Sequence, residues 1–200
     1  MNETLSKYIP ELAVKPVFEL IVANQVHLKI VNERVTRHGD YRKGINGKHE
    51  ITVNANLNKY KFLITLIHEI SHLVAFENFG RNIKPHGEEW KMEFRRLLLP
   101  VIDHASTPEN LKKALVRSLV NTKASSCSDH HLSRALMQFD KPVEGLHLLE
   151  HLPKNAIFAL NSKQFKKGEL RRKRFLCEDL NNGRSYLVNA LAKVTIIKNE

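Results

Sequence analysis

Residues 61–76 read Lys61-Phe62-Leu63-Ile64-Thr65-Leu66-Ile67-His68-Glu69-Ile70-Ser71-His72-Leu73-Val74-Ala75-Phe76. The run is apolar on nearly every side, so a helix built from it is buried. Three ionisable side chains interrupt it in the order His-Glu-x-x-His. Positions four apart share a helix face, so the imidazoles of His68 and His72 converge. Ionisable groups in a buried helix are costly unless they are paired or bound to a metal. Zinc takes neutral imidazole nitrogen in a tetrahedral set and, in catalytic sites, keeps one position open. Glu69 stands beside that open position, where a carboxylate can take a proton from water that the metal has acidified. This is the chemistry of amide hydrolysis. The plainer reading is a pair of hydrogen-bonded core histidines with a paired glutamate.

A third ligand has to come from downstream. His72 is followed by Leu73-Val74-Ala75-Phe76-Glu77-Asn78, which lacks the x-x-Gly-x-x-His continuation and excludes a metzincin. The stretch Lys84-Pro85-His86-Gly87-Glu88-Glu89-Trp90 offers His86, Glu88 and Glu89, with Glu93 one turn on. His86 is favoured because it lies where a loop enters a new helix. Gly87 lets the backbone approach closely, and Glu88 and Glu89 suit a helix N-terminus. Trp90, Phe94, Leu97 and Leu98 then form a stripe that docks this helix on the first.

These segments, taken with Arg37-His38-Gly39-Asp40-Tyr41 and His49-Glu50-Ile51-Thr52-Val53-Asn54 upstream, resemble the SprT-like (Spartan-related) family of zinc metalloproteases over about half the chain. The resemblance implies an α+β, zincin-like domain holding one Zn2+ on His68, His72 and His86, with Glu69 as the catalytic base. It also implies a substrate protein that is attached to or crosslinked with DNA. Many members carry a C-terminal zinc ribbon with two cysteine pairs. This chain has only Cys127 and Cys177 and no Cys-x-x-Cys, so the ribbon is missing.

Around the motif, residues 8–25 read as a helix with Pro16 as a distortion or break. Residues 26–31, 35–42 and 49–54 read as three strands, the last a candidate exposed edge beside the metal cleft. The motif helix should run from about 57 to 79 and stop at Gly80. The third-ligand helix should end in a loop near Leu99-Pro100, and a further helix starts at Thr107-Pro108. The polar stretch 121–126 is the best linker. A short helix capped by Ser128 or Asp129 and five short strands (156–160, 163–167, 174–177, 184–188, 192–197) follow, suggesting a small barrel or curled sheet. The expected domains are therefore a zincin-like one over 1–122 and a β-rich one over 123–200.

Lys and Arg number 32 against 21 Asp and Glu, a formal charge of +11. Such a surface favours polyanions, nucleic acid above all. The densest run is Lys163, Lys166, Lys167, Arg171, Arg172, Lys173 and Arg174, flanked by Phe165 and Phe175. On a hairpin it would bind a phosphate backbone, single-stranded DNA included, blind to sequence and sensitive to salt. The phenylalanines themselves fit a core. No apolar run spans a membrane and no signal pattern opens the chain, so a cytoplasmic location is expected. Tyr41 and Arg37 are within reach as oxyanion stabilisers. Two rival readings remain at this stage: a nucleic-acid-binding protein with a structural zinc, and a metalloprotease indifferent to DNA.

Overall fold

The computed structural model describes residues 2–34, 36–44, 47–120 and 129–197. Two compact units divide it, residues 1–140 and 141–200. The expected linker at 121–126 and Cys127 lie outside the described residues.

The first unit is built round one helix. Helix α3 (Lys59–Phe79) buries Phe62, Leu63, Leu66, Ile67, Ile70 and Leu73. Each such side chain contributes about 1.5–3 kcal/mol on leaving water, enough together to hold a helix that also carries ionisable groups. Its start is set by Asn58, whose side chain accepts from the Lys61 amide at 2.9 Å, and it stops at Gly80 with φ +80°. Asn58 Nδ2 also donates to Leu136 O at 2.9 Å and to Asp140 Oδ1 at 2.7 Å.

Upstream, the helix expected over 8–25 is in fact a 3-10 turn (Glu11–Ala13) and α2 (Val14–Ala23), preceded by an unexpected helix α1 (Asn2–Tyr8). Pro10 caps the 3-10 turn. Pro16 breaks nothing, because it falls in the first turn of α2, where backbone N–H groups have no helical partner to lose.

A three-stranded sheet follows: β1 (Val26–Val31), β2 (Gly39–Lys43) and β3 (His49–Asn54), in the order β1-β3-β2. Strand β3 pairs parallel with β1 and antiparallel with β2. The strand expected as the exposed edge is therefore the central one. Ile51, Val53 and Asn54 are all buried within it, and β2 is the edge that lies along α3. Asn54 fixes that edge. Its Nδ2 donates to the Arg34 and Arg37 carbonyls at 3.1 and 2.9 Å, and its Oδ1 accepts from Arg34 Nε at 2.9 Å.

Helix α4 (Glu88–His104) continues through Pro100 rather than stopping there. The proline lies on the exposed side, while Val101 and Ile102 bury the last turn. Helices α5 (Glu109–Val120) and α6 (His130–Met137) pack on each other, and Leu132 and Leu136 join the first core. Helix α6 thus belongs to the first unit, which extends to 140, past the 122 expected from sequence.

The second unit is an antiparallel sheet of six strands: β4 (Leu146–Leu148), β5 (Ile157–Leu160), β6 (Lys163–Arg171), β7 (Arg174–Asp179), β8 (Ser185–Asn189) and β9 (Lys193–Ile196). Their order is β4-β9-β5-β6-β7-β8. Five of the six coincide with the expected strands; β4, three residues long, is too short to leave a pattern. Its core is Leu149, Leu152, Phe158, Phe165, Cys177, Val188 and Val194. Among the described residues no helix is long and apolar enough to cross a membrane.

Candidate metal centre

The Nε2 atoms of His68, His72 and His86 form a triangle with sides of 3.2, 3.2 and 3.1 Å. It is the only cluster of three potential ligands among the described residues. Helix α3 supplies two corners at i and i+4. The third comes from the turn before α4, where the Gly87 amide donates to Lys84 O at 2.8 Å and His86 takes φ +60°. Pro85 followed by a residue of positive φ is the chemistry of a type II turn, with His86 where glycine or asparagine usually sits. A side chain held there costs backbone energy. Gly87 is required beside it: a Cβ on Gly87 would lie 2.9 Å from Lys84 O.

The donor set fits a zinc-like ion. Three imidazole nitrogens bonded at about 2.0–2.1 Å at tetrahedral angles stand roughly 3.3–3.4 Å apart, close to the observed sides. At most one hydrogen fits the centre of such a triangle, so three mutual hydrogen bonds cannot hold it. Burial, then the neighbouring histidines, push His68 down to about 3; burial, then His86, push His72 down to about 4. Burial also lowers His86. All three are therefore neutral at pH 7, the form a metal needs. Nδ1 of His68 is buried with no hydrogen-bond partner among the described residues. The Trp90 ring packs on all three imidazoles, with centroids at 4.6, 5.2 and 4.7 Å.

Two of the carboxylates weighed as third ligands, Glu93 and Glu88, are engaged elsewhere, and Glu89 does not join the cluster. Glu93 is buried and accepts from Asn78 Nδ2 at 2.9 Å and Arg96 Nε at 2.6 Å, clasping α4 to α3. Glu88 pairs with Lys91 at 2.7 Å.

Glu69 is 8% exposed and lines a cleft of about 300 Å³ with His72, Asp40, Tyr41, Phe76 and Trp90. Burial, then the nearby Asp40 charge, raise its pKa to about 7, against the opposing pull of Arg34 and a hydrogen bond from the Tyr41 backbone. A carboxylate poised near neutrality is suited to taking and returning a proton. Gly39 makes the approach of β2 possible, since a Cβ there would sit 2.7 Å from Thr65 Cγ2 and 2.8 Å from Glu69 Oε1. Arg37 is tied to Asp40 at 2.9 Å and does not line the cleft.

The basic run forms the β6–β7 hairpin, with Arg172 at φ +59° in its turn. Arg171 and Arg174 stand directly opposite each other, and both are exposed, as are Lys163, Lys166, Arg172 and Lys173. Like charges placed opposite are destabilising unless something else neutralises them. Lys167 departs from the expected set. It is 4% exposed, donates to the carbonyls of Leu152 and Glu150, and lies 4.0 Å over the Phe175 ring. Strand alternation turns it inward with Phe165, so it cannot meet a phosphate backbone. Cys177 is buried and free.

Residues 11–105 match the family model described as the SprT-like family. Among curated proteins, "Protein SprT" of Pseudomonas aeruginosa (strain LESB58) is 34% identical over 67 residues, 34% of this chain and 39% of that protein. "Protein SprT" of Pseudomonas savastanoi pv. phaseolicola (strain 1448A / Race 6) is 40% identical over 60 residues, 27% of this chain and 37% of that protein. "Protein SprT" of Pseudomonas fluorescens (strain SBW25) is 38% identical over 53 residues, 26% and 32% respectively. The chain thus spans about a third of the length of these relatives. No solved structure matches it.

Proposed function

Residues 11–105 belong to the SprT-like family, and from that premise we propose that the chain is a zinc-dependent metalloendopeptidase acting on proteins associated with or crosslinked to DNA. The observation that carries the reading is the triangle of three neutral histidines, one of which, His72, shares a cleft with Glu69, a carboxylate whose pKa is raised to about 7. His68, His72 and His86 would hold the ion. When bound, it supplies Lewis-acid chemistry, acidifying water and polarising an amide carbonyl. Glu69 takes the proton of the attacking water and passes it to the leaving amine. An extended peptide adds to the open edge of β2 through backbone hydrogen bonds, which leaves side-chain identity largely free. Trp90 and Phe94 stack at 4.9 Å and wall the histidines with apolar surface.

The DNA part of the reading is supported by the +11 charge and by the hairpin carrying Lys163, Lys166, Arg171, Arg172, Lys173 and Arg174. No acid is paired with Arg171, Arg172 or Arg174 among the described residues. Cleavage of a DNA-bound protein by the zinc-loaded chain, with and without single-stranded DNA, tests it. Cleavage that rises with DNA is the expected result. Equal cleavage with and without DNA removes the DNA role, and no cleavage at full zinc occupancy overturns the peptidase.

A further inference from the structure

Strand β2 lays three alternate positions along α3, and Tyr41 is the middle one. Gly39 rests on Thr65 and Glu69. Lys43, at the other end, bonds Glu77 at 2.7 Å and lies 4.8 Å over the Phe76 ring. Tyr41 is opposite Ile51, which is fully buried, so the tyrosine side chain faces the same way, into the cleft that holds Glu69 and His72. Its hydroxyl is 3.1 Å from His49 Nδ1, and the two rings stack at 6.0 Å. His49 Nε2 is in turn 3.7 Å from Glu77 Oε1.

Amide hydrolysis builds negative charge on the carbonyl oxygen, and a fixed donor aimed at that oxygen is worth about 10²–10³-fold in rate. The other polar side chains of the cleft do not meet the requirement: the Trp90 Nε1 donor is buried away from the open space, with no partner among the described residues to aim it. Asp40 is an acid, and Glu69 is occupied with the proton. Arg81 and Lys84 are exposed on the loop after α3, with no side-chain hydrogen bond among the described residues to hold them. Tyr41 alone is a donor held in place by a partner. Burial, then the Glu77 charge, push its pKa up to about 12, so it stays a neutral phenol with a hydrogen to give.

Resting on the peptidase reading above, we propose that Tyr41 is a catalytic residue whose hydroxyl donates to the carbonyl oxygen of the scissile amide, with His49 as the positioning residue that aims it. With a hydrogen on His49 Nδ1, the phenol oxygen accepts it and turns its own hydrogen to the substrate.

The test is Y41F in the full zinc-loaded chain, which removes one oxygen and keeps the ring. The expected result is a fall in kcat of about 10²-fold with KM within about twofold, at unchanged zinc content and melting temperature. Affinity for a phosphinic peptide, whose tetrahedral oxygen mimics the developing charge, should fall by about the same factor. Affinity for the matching amide peptide, compared between E69Q and E69Q/Y41F, should not. H49A should slow the wild type yet add nothing to Y41F, whereas a merely structural histidine would slow both. Unchanged kcat and unchanged phosphinate affinity in Y41F would overturn the proposal. If the wild type cleaves nothing, the peptidase reading falls by itself. The phosphinate affinities still decide Tyr41: equal values overturn its contact and a tyrosine-dependent value supports it.

Discussion

Glu69 and the histidines beside it make opposite demands on pH. In the metal-free protein, His68 and His72 take protons near 3 and 4, against an ordinary 6.5. Between those values the unfolded chain holds more protons than the folded one, so stability falls as pH drops from 6.5 towards 4. Glu69 is raised from 4.5 to about 7, so over that window the folded chain keeps a proton the unfolded chain has lost. Its contribution is present below 4.5 and is lost as pH rises through 7. E69Q removes that loss. Metal-free E69Q should melt above the metal-free wild type at pH 8 by roughly 4 °C or more, with the gap closing by about pH 4. Calorimetry of the two proteins across this range checks the sign. With zinc bound, the same variant should keep its metal and lose about 10²–10⁴-fold in cleavage rate.

At the scale of elements, the approach of β2 to α3 decides whether a cleft exists. A methyl group at Gly39 would meet Thr65 and Glu69 inside contact distance. G39A should therefore cost about 1–3 kcal/mol in denaturant unfolding and depress cleavage further than that loss of stability explains. Local pattern made α3 and its two histidines legible in the sequence, because the apolar run and the i, i+4 spacing of His68 and His72 lie within one segment. Asn58 and Gly80 bound it as cap and stop. The sheet order was not legible. Only the parallel pairing of β1 with β3, more than twenty residues apart, puts β3 in the centre and leaves β2 on the cleft. His86 was found from its neighbours Pro85 and Gly87, but its positive φ was not, since a left-handed histidine leaves no sequence signature. Helix α4 ran through Pro100 because the burial of Val101 and Ile102, not local propensity, sets its end.

At the scale of the whole molecule, two units carry two kinds of feature, a three-histidine cluster able to hold a metal ion in residues 1–140 and a basic hairpin in 141–200. The charge was legible as a count and as a run; which cations face outward was not, because the alternation of β6 hides Lys167. The distinction is measurable. Removing Arg171, Arg172 and Arg174 together should weaken binding to single-stranded DNA and flatten its dependence on log salt by about 2. Lys167→Met should leave that slope unchanged and lower the melting temperature, since it strands the Leu152 and Glu150 carbonyls. A K167M protein with the flattened slope and unaltered melting would place that lysine on the DNA after all.

The central claim is that this chain hydrolyses peptide bonds through Glu69 at the three-histidine site. Its most direct test is to incubate zinc-matched wild type and E69Q with a DNA-bound protein in ¹⁸O-labelled water and sequence the products by mass spectrometry. New N-termini, with ¹⁸O in the new carboxylates, are expected from the wild type alone. Equal fragments from both proteins, or none from either with zinc bound, would contradict the claim.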